Sequence, residues 1–167
     1  ETFDQTCTWL ADTSRAIYIV GGRVTHTMAE YLFMHMQIIR ADVTHVQTVS
    51  NAWPHYLLDI KDGDVIVVFD MRRYENNTLK LAEMAHARGA KIILFTDQWG
   101  SPAGKFASHQ VHSRIEVPST WDSSVVTMFI LEAIISAVQD KSWKKSKTRM
   151  EDLEELFERT KLFRKFI

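Results

Sequence analysis

Runs of apolar residues along the chain predict five β-strands. Three runs, residues 16–20, 65–69 and 91–96, are mainly apolar, as expected for strands buried on both faces of a parallel sheet. Residues 43–49, which mix Val with polar residues, predict a further strand. A fifth run, residues 112–117, alternates between apolar and polar positions, which is typical of an edge strand.

Segments with apolar residues at helical spacing separate these strands. Predicted helices cover residues 2–13, 25–40, 51–60, 75–88, 101–108 and 122–140. Strands that alternate with helices favour a parallel sheet with helices on both faces. We therefore expect the α/β fold class, as a three-layer α/β/α sandwich with a five-stranded parallel sheet of flavodoxin-like form.

The composition changes after Asp140. Residues 141–149 are basic and predict a linker or the frayed start of a helix, which could contact DNA phosphate groups or simply be solvated. Residues 150–167 predict an amphipathic C-terminal helix, which could pack on its own domain or on a second subunit. Its apolar face carries Met150, Leu153, Leu156, Phe157, Phe163 and Ile167. Residues 1–140 would then form the main domain.

Composition narrows the class of protein. A chain of 167 residues suits one domain, and a formal net charge of −1 does not favour general attraction to nucleic acid or a membrane. The single cysteine, Cys7, cannot form an intramolecular disulfide and is too little for a zinc site. The longest apolar stretch, residues 125–138, contains Glu132 and is too short to cross a bilayer. We expect a cytoplasmic protein without a membrane partner.

The most distinctive sequence directly follows the third predicted strand. It contains Asp70 and the adjacent arginines Arg72 and Arg73, where anion-binding loops are usually rich in Gly and Ser. The carboxyl edge of a parallel sheet is where such folds hold ligands. Two arrangements are open. The arginines could bind an anion directly while Asp70 orients one guanidinium group, or Asp70 could pair with an arginine in a closed structural network.

A second candidate loop follows the first strand. Gly21 and Gly22 form a turn that lets the backbone approach a ligand, and the next helix offers unpaired N–H groups to an anion. Thr25 could add a hydroxyl. Arg23 could grip a phosphate or carboxylate, or it could block the close approach of a ligand. The alternative is a plain strand-to-helix turn with an N-cap.

Five segments taken together resemble the SIS (sugar isomerase) domain. Four of them read IYIVGGRVT from residue 17, DGDVIVV from residue 62, ARGAKIILFTD from residue 87 and SPAGKFA from residue 101. The resemblance covers about residues 17–138. The fifth segment, the Asp-x-Arg-Arg-Tyr loop of residues 70–74, resembles a subset of RpiR-type transcriptional regulators.

The resemblance implies a sugar-phosphate-sensing effector domain. RpiR-type regulators carry an N-terminal helix-turn-helix domain, and a chain that begins at Glu1 instead of Met is interpreted as lacking it. A phosphorylated sugar or related anionic metabolite would shift the geometry of a homodimer or higher oligomer. DNA would be contacted only through the missing domain, and neither a cofactor nor a metal is expected. The implied effector-binding residues are Gly22, Arg23, Thr25, Ser50, Asp70, Arg72, Arg73 and Ser123.

The alternative function is a sugar-phosphate aldose–ketose isomerase. Such an enzyme needs a base near the sugar. Glu132 falls where many SIS proteins carry an acid and His26 lies in the first loop, but Glu132 could instead pair with a cation or cross a dimer interface. His109 and His112 have a ligand-like spacing, and we interpret them as surface histidines. We therefore predict no catalytic residue.

Two further sets of residues lie after predicted strands. Trp53, Trp99 and Trp121 could stack on a sugar ring, or each could be packed in a core or an interface. Asp122 is interpreted as a cap of the last helix. Ser123 beside it is a candidate hydroxyl for the ligand.

Overall fold

The computed structural model describes residues 1–164, which form five strands and five α-helices. The strands are β1 (Ile17–Gly21), β2 (Val43–His45), β3 (Val65–Phe69), β4 (Lys91–Asp97) and β5 (His109–Ser113). The helices are α1 (Thr2–Ala11), α2 (His26–Ile39), α3 (Trp53–Asp59), α4 (Asn76–Ala87) and α5 (Val125–Thr160). Short 3-10 helices occupy Ser50–Ala52 and Pro102–Phe106. No helix within residues 1–164 has both the length and the apolar character to pass through a bilayer.

All five strands pair in parallel, in the order β2-β1-β3-β4-β5. Every residue of β1 and β3 is buried, whereas edge strand β2 is only partly buried and β5 alternates. The predicted α/β fold class is therefore confirmed. The chain runs outward from β1 to β2 and then returns to the other side of β1 as β3. Sheets of this kind hold ligands at the carboxyl ends of the strands on either side of such a change of direction, here β1 and β3.

Alternation along the buried strands gives the sheet two apolar cores. Ile17 and Ile19 of β1 pack on one face, in a cluster with residues of α1, α2 and α5. Tyr18 and Val20 point to the opposite face and join residues of α3 and α4. Helices therefore cover both faces of the sheet, and the loops leave it at the carboxyl edge.

Two strands end earlier than the sequence pattern predicts. The prediction of β5 at residues 112–117 was wrong, because Ser108 N already donates to Ile92 O and pairing with β4 runs out when β4 ends at Asp97. Ile115 is buried, but its N–H donates to the side chain of Gln98 at 3.1 Å instead of joining a ladder. Similarly, β2 stops at His45, the last residue paired with β1.

Helix α5 is continuous through residues 141–149, for which a linker or the frayed start of a helix was predicted. Residues 125–160 contain neither Gly nor Pro and are rich in helix-forming Lys, Glu, Leu and Arg, so nothing interrupts the helix. Ser146 in the basic run is fully buried, and Lys145 Nζ donates to Thr13 Oγ1 at 3.2 Å. The assignment of residues 141–149 to a linker was therefore wrong. The predicted C-terminal helix ends at Thr160, and its last positions, including Ile167, lie outside the described residues.

Arg40 ties the end of α1 to the sheet from within the core. Its side chain is 3% exposed, and its guanidinium group donates to four backbone carbonyls. These are the carbonyls of Leu10 at 3.1 Å, Asp12 at 2.7 Å, Ala41 at 3.0 Å and Arg15. Burial lowers the pKa of Arg40, although Asp42 and Asp12 act in the opposite direction. This one planar group therefore satisfies the carbonyl of Leu10 in the last turn of α1 and that of the C-cap residue Asp12.

We expect Arg40→Lys to lower the free energy of unfolding by about 2–4 kcal/mol, because an ammonium group cannot reach all four carbonyls and leaves buried acceptors unpaired. Urea denaturation monitored by circular dichroism measures the loss. Arg88→Lys is the matched control, since Arg88 is exposed and donates to a single carbonyl, that of Leu58, at 3.1 Å. Equal midpoints for the two variants would contradict the role given to Arg40.

Candidate functional site

Four loops meet at the carboxyl edge of the sheet, and we call them the carboxyl-edge loops. They comprise residues 22–25 after β1, 70–75 after β3, 98–101 after β4 and 114–124 after β5. The strand order brings the first three side by side. The predicted effector-binding residues lie in three of these loops, except Ser50, which opens the 3-10 helix after β2.

The turn after β1 is closed by side chains of the chain itself. Gly22 N donates to Thr25 Oγ1 at 2.7 Å, and that hydroxyl donates to Phe69 O at 2.9 Å. Arg23 N donates to Glu75 Oε1 at 2.8 Å. A Cβ atom on Gly22 would lie 2.4 Å from the same Glu75 oxygen. The carboxylate of Glu75 therefore covers the turn where a ligand was expected.

Asp97, at the end of β4, organises the loop after β3. Its side chain is fully buried and accepts four hydrogen bonds. Oδ1 accepts from Tyr74 OH at 2.7 Å, Trp99 N at 3.0 Å and Gly100 N at 3.1 Å, and Oδ2 accepts from Arg72 N at 2.7 Å. Burial alone would raise the pKa of Asp97, but these donors outweigh it and hold the pKa below its ordinary value. Burial and the bond to Asp97 raise the pKa of Tyr74.

Asp70 is bound to a serine and not to either arginine. It is 3% exposed, Oδ2 accepts from the hydroxyl of Ser101, and Oδ1 accepts from Glu75 N at 3.3 Å. Burial raises the pKa of Asp70, and these two hydrogen bonds offset the rise only in part. Asp70 therefore neither orients a guanidinium group nor forms an ion pair with an arginine, and both roles predicted for it are wrong.

The guanidinium group of Arg72 lies between an acid and an aromatic ring. Nε donates to Asp122 Oδ2 at 3.2 Å, and Nη2 donates to Asp122 Oδ1. The Arg72 Cζ atom lies 4.6 Å from the centre of the Trp99 ring, a cation–π contact. Asp122 is therefore an ion-pair partner and not the cap of α5, whose N-cap residue is Ser124.

Arg23 and Arg73 present free cationic side chains at this edge. Both are exposed, and neither guanidinium group has a hydrogen bond or ion pair to any of residues 1–164. Ser50 Oγ accepts a long bond from Asn77 Nδ2 at 3.4 Å. Ser123 Oγ accepts from Val125 N at 3.3 Å in the first turn of α5. The structure thus brings Gly22, Arg23 and Thr25 beside Asp70, Arg72 and Arg73, with Asp122 linking the loop that holds Ser123.

The tryptophans and the candidate bases have separate surroundings. Trp53 is 6% exposed and donates from Nε1 to Gln47 O at 2.6 Å, so it packs in the core. Trp99 is 52% exposed and has the Arg72 guanidinium group over its ring, whereas Trp121 is 81% exposed. Glu132 Oε1 accepts from Tyr31 OH at 3.1 Å, and no cation among residues 1–164 pairs with it, so the cation-pair interpretation is wrong there, while its place at a dimer interface stays a prediction.

The histidines considered for a metal are not gathered together. His109 is half-buried, lies against Trp9 with ring centres 4.2 Å apart and the rings tilted by 36°, and has a buried Nε2, so its interpretation as a surface residue was wrong. His112 is exposed and bonds to the carbonyl of Asp97 at 2.9 Å. Among residues 1–164 no three His, Cys, Asp or Glu side chains are grouped so as to hold a metal ion.

Sequence reasoning missed most of the acceptors at this edge. Asp97 and Ser101 stand in the SIS-like segments without a predicted role, Glu75 is only the first residue of a predicted helix, and Asp122 is predicted as a cap. A signal was present for Asp97 and Asp70, since each follows a buried strand and would reach the same edge of the sheet. Nothing in the sequence indicates that Arg72 would form its ion pair with Asp122, which lies fifty positions further along the chain.

Comparison with known proteins gives the family. A model of the SIS domain matches residues 10–137, more than half of the chain. The chain belongs to the SIS domain family. No curated protein sequence matches it. The resemblance deduced from the five sequence segments is therefore confirmed at the level of the family.

Solved structures of SIS domains share the fold. The sugar isomerase domain of an RpiR transcription factor from Sphaerobacter thermophilus has a TM-score of 0.83 at 15% identity, over 92% of this chain and 86% of that one. NanR from Vibrio vulnificus, complexed with ManNAc-6P, has a TM-score of 0.75 at 13% identity, over 93% of this chain and 60% of that one. A phosphoheptose isomerase from Francisella tularensis has a TM-score of 0.65 at 11% identity, over 83% of this chain and 85% of that one.

At these identities the likeness establishes the fold alone, and transcriptional regulators and isomerases both share it. This SIS domain spans less than two thirds of the length of NanR.

Proposed function

We propose that this SIS domain is the sugar-phosphate-sensing part of an RpiR-type transcriptional regulator. The ligand is a phosphorylated sugar or a related anion, held at the carboxyl-edge loops. The domain forms a dimer, and the ligand changes how attached helix-turn-helix domains meet DNA. The similarity to the RpiR domain and to NanR supports this proposal, since both are regulators by name.

The observation that carries the proposal is the free guanidinium group of Arg73 at the edge of the sheet. Its neighbour Arg72 is fixed at the backbone by the buried carboxylate of Asp97, which positions the loop. An exposed arginine on a well-anchored loop can grip a phosphate in two places without first giving up an internal partner. Arg23 supplies a second free guanidinium group from the loop after β1.

An isomerase would need a base that reaches the sugar. Asp70 and Asp97 are 3% and 0% exposed and are occupied as hydrogen-bond acceptors, so neither can contact a substrate without rearrangement. Glu132 bonds to Tyr31. His26 Nδ1 bonds to the carbonyl of Arg23 at 2.8 Å. Binding without turnover therefore fits the arrangement of acids and bases better than isomerisation does.

Titration calorimetry with ManNAc-6P, unphosphorylated ManNAc and inorganic phosphate tests the proposal. We expect the phosphorylated sugar to bind more tightly than either control and to raise the melting temperature. Arg73→Ala should weaken binding about tenfold or more, because a charge-assisted bidentate contact is lost. Arg88→Ala, which removes an exposed arginine at the far end of α4, should leave the affinity unchanged.

Two results would count against this function. Equal affinity in the Arg73→Ala variant and the parent protein would move the binding site away from the loop after β3. If chromatography shows that the parent protein converts a sugar phosphate into another sugar phosphate, the isomerase is favoured.

A further inference from the structure

Arg72 already holds an anion that belongs to the chain. Its guanidinium group donates from two nitrogens to the two carboxylate oxygens of Asp122, and it lies over the ring of Trp99. We propose that Asp122 is a built-in competitor for the ligand: its carboxylate occupies the anion-binding position on Arg72, and a phosphate group displaces it. This inference rests on the proposed function, because it requires an anion to bind at the carboxyl-edge loops.

A carboxylate and a phosphate can occupy the same position on the guanidinium group of Arg72. A carboxylate and a phosphate both offer two oxygens to the fork of a guanidinium group, and the phosphate carries more charge. The side chains of Arg72 and Asp122 are 45% and 35% exposed, so water and salt weaken their attraction. Trp99 stays under the guanidinium group whichever anion is bound and so keeps Arg72 in place.

The exchange has a structural consequence because of where Asp122 lies. Residues 116–124 have no regular secondary structure and lead directly into α5 at Val125. Within residues 1–164, the bonds of Asp122 to Arg72 are the only side-chain hydrogen bonds that join residues 116–124 to the loops after β1, β3 and β4. Displacing Asp122 therefore removes the side-chain link between those loops and the segment that precedes the longest helix, while the backbone bond from Ser123 N to Ile115 O at 2.7 Å remains. Ligand occupancy at the sheet edge is thereby coupled to the start of α5.

Inorganic phosphate is the probe that tests this exchange, since it engages arginine without any contact to a sugar. Nitrogen-15 NMR titrations, followed at the Trp99 indole and the Arg72 amide, give the affinity of the parent protein and of its variants. We expect Asp122→Asn to tighten phosphate binding by up to roughly fivefold, the factor that corresponds to the upper end of the range for an exposed ion pair. The added substitution Arg72→Ala should abolish that gain, as a double-mutant cycle requires.

Glu116→Gln is the matched control for net charge. Glu116 lies in the same segment, 3.9 Å from Arg114, and does not bond to Arg72. Loss of the Glu116 charge should change the affinity for phosphate by less than about twofold, because general charge effects are small at physiological ionic strength. A gain equal to that of Asp122→Asn would overturn the competitor role. Unchanged or weaker binding by Asp122→Asn would also overturn it, and weaker binding would make Asp122 a support that positions Arg72.

A parallel titration with ManNAc-6P separates this inference from the proposed function. If ManNAc-6P binds the parent protein and Asp122→Asn equally well, sensing stands and competition fails. If phosphate binds the variant more tightly while no sugar phosphate binds either protein, competition stands and sensing fails. If neither probe binds any variant, both are overturned. Melting temperatures of the unliganded variants confirm that each one is folded.

Discussion

Asp97→Asn is expected to lower the free energy of unfolding by about 3–5 kcal/mol, because it breaks a fully buried, charge-assisted network. The carboxylate accepts three hydrogen bonds at Oδ1 and one at Oδ2. An amide keeps one acceptor oxygen and turns its NH2 group toward the Arg72 N–H or toward the other three donors. A domain of this size is stable by only about 5–15 kcal/mol, so urea denaturation detects such a loss readily.

Asp70→Asn is the matched control, since Asp70 is also a buried aspartate at the end of a strand. Its two acceptor contacts, to Ser101 and Glu75, can be kept by an amide that accepts from Glu75 N and donates to the serine hydroxyl. We expect a change of about 1 kcal/mol or less. Similar losses in the two variants would contradict the central role of Asp97.

The lowered pKa of Asp97 makes the loss of stability in Asp97→Asn depend on pH. The folded state holds the pKa of Asp97 below its ordinary value, so the carboxylate stabilises the fold above the ordinary aspartate pKa. That contribution is lost as the pH falls through the lower, folded pKa. The difference between the parent protein and Asp97→Asn should therefore shrink in acid.

Gly21→Ala is expected to be the second severe substitution, with a loss of about 3 kcal/mol or more. A Cβ atom at this position would lie 2.5 Å from His26 N and 2.6 Å from both His26 Cα and Thr25 C. These are backbone atoms at the start of α2, so the helix itself must move away from β1. Because that movement carries Arg23 with it, binding of the sugar phosphate should also weaken.

Gly22→Ala is the neighbouring control. Its Cβ atom would meet only side-chain atoms, closest the carboxylate of Glu75 at 2.4 Å, which can swing toward solvent. Thermal denaturation should place this variant near the parent protein and Gly21→Ala many degrees below both. The reverse order of melting temperatures would show that the turn after β1 is not packed as described.

The layered fold could be predicted because its signals are local and repeated. Unbroken apolar runs define β1, β3 and β4, and their order with the helices favours a parallel sheet. The position of β5 could not be predicted, since it depends on where β4 ends and not on the residues of β5 themselves. The continuity of α5 was missed because basic residues were taken as a sign of a linker, although Lys and Arg are good helix formers.

The candidate site was predictable only at the level of the loops. A parallel sheet directs the loops after β1 and β3 to one edge, so Arg23, Arg72 and Arg73 could be placed there from the sequence. Which partner each of these side chains binds depends on the direction in which the side chain points. Asp70 turns inward to Ser101, and Arg72 turns outward to Asp122, whose distance along the chain gives no signal.

A crystal structure of this protein grown with ManNAc-6P tests the central claim most directly. We expect the phosphate beside the guanidinium group of Arg73, within hydrogen-bond distance, between the loops after β1 and β3. A phosphate bound elsewhere, for example in the groove of about 410 Å³ beside Gln37 and Arg149, would contradict it.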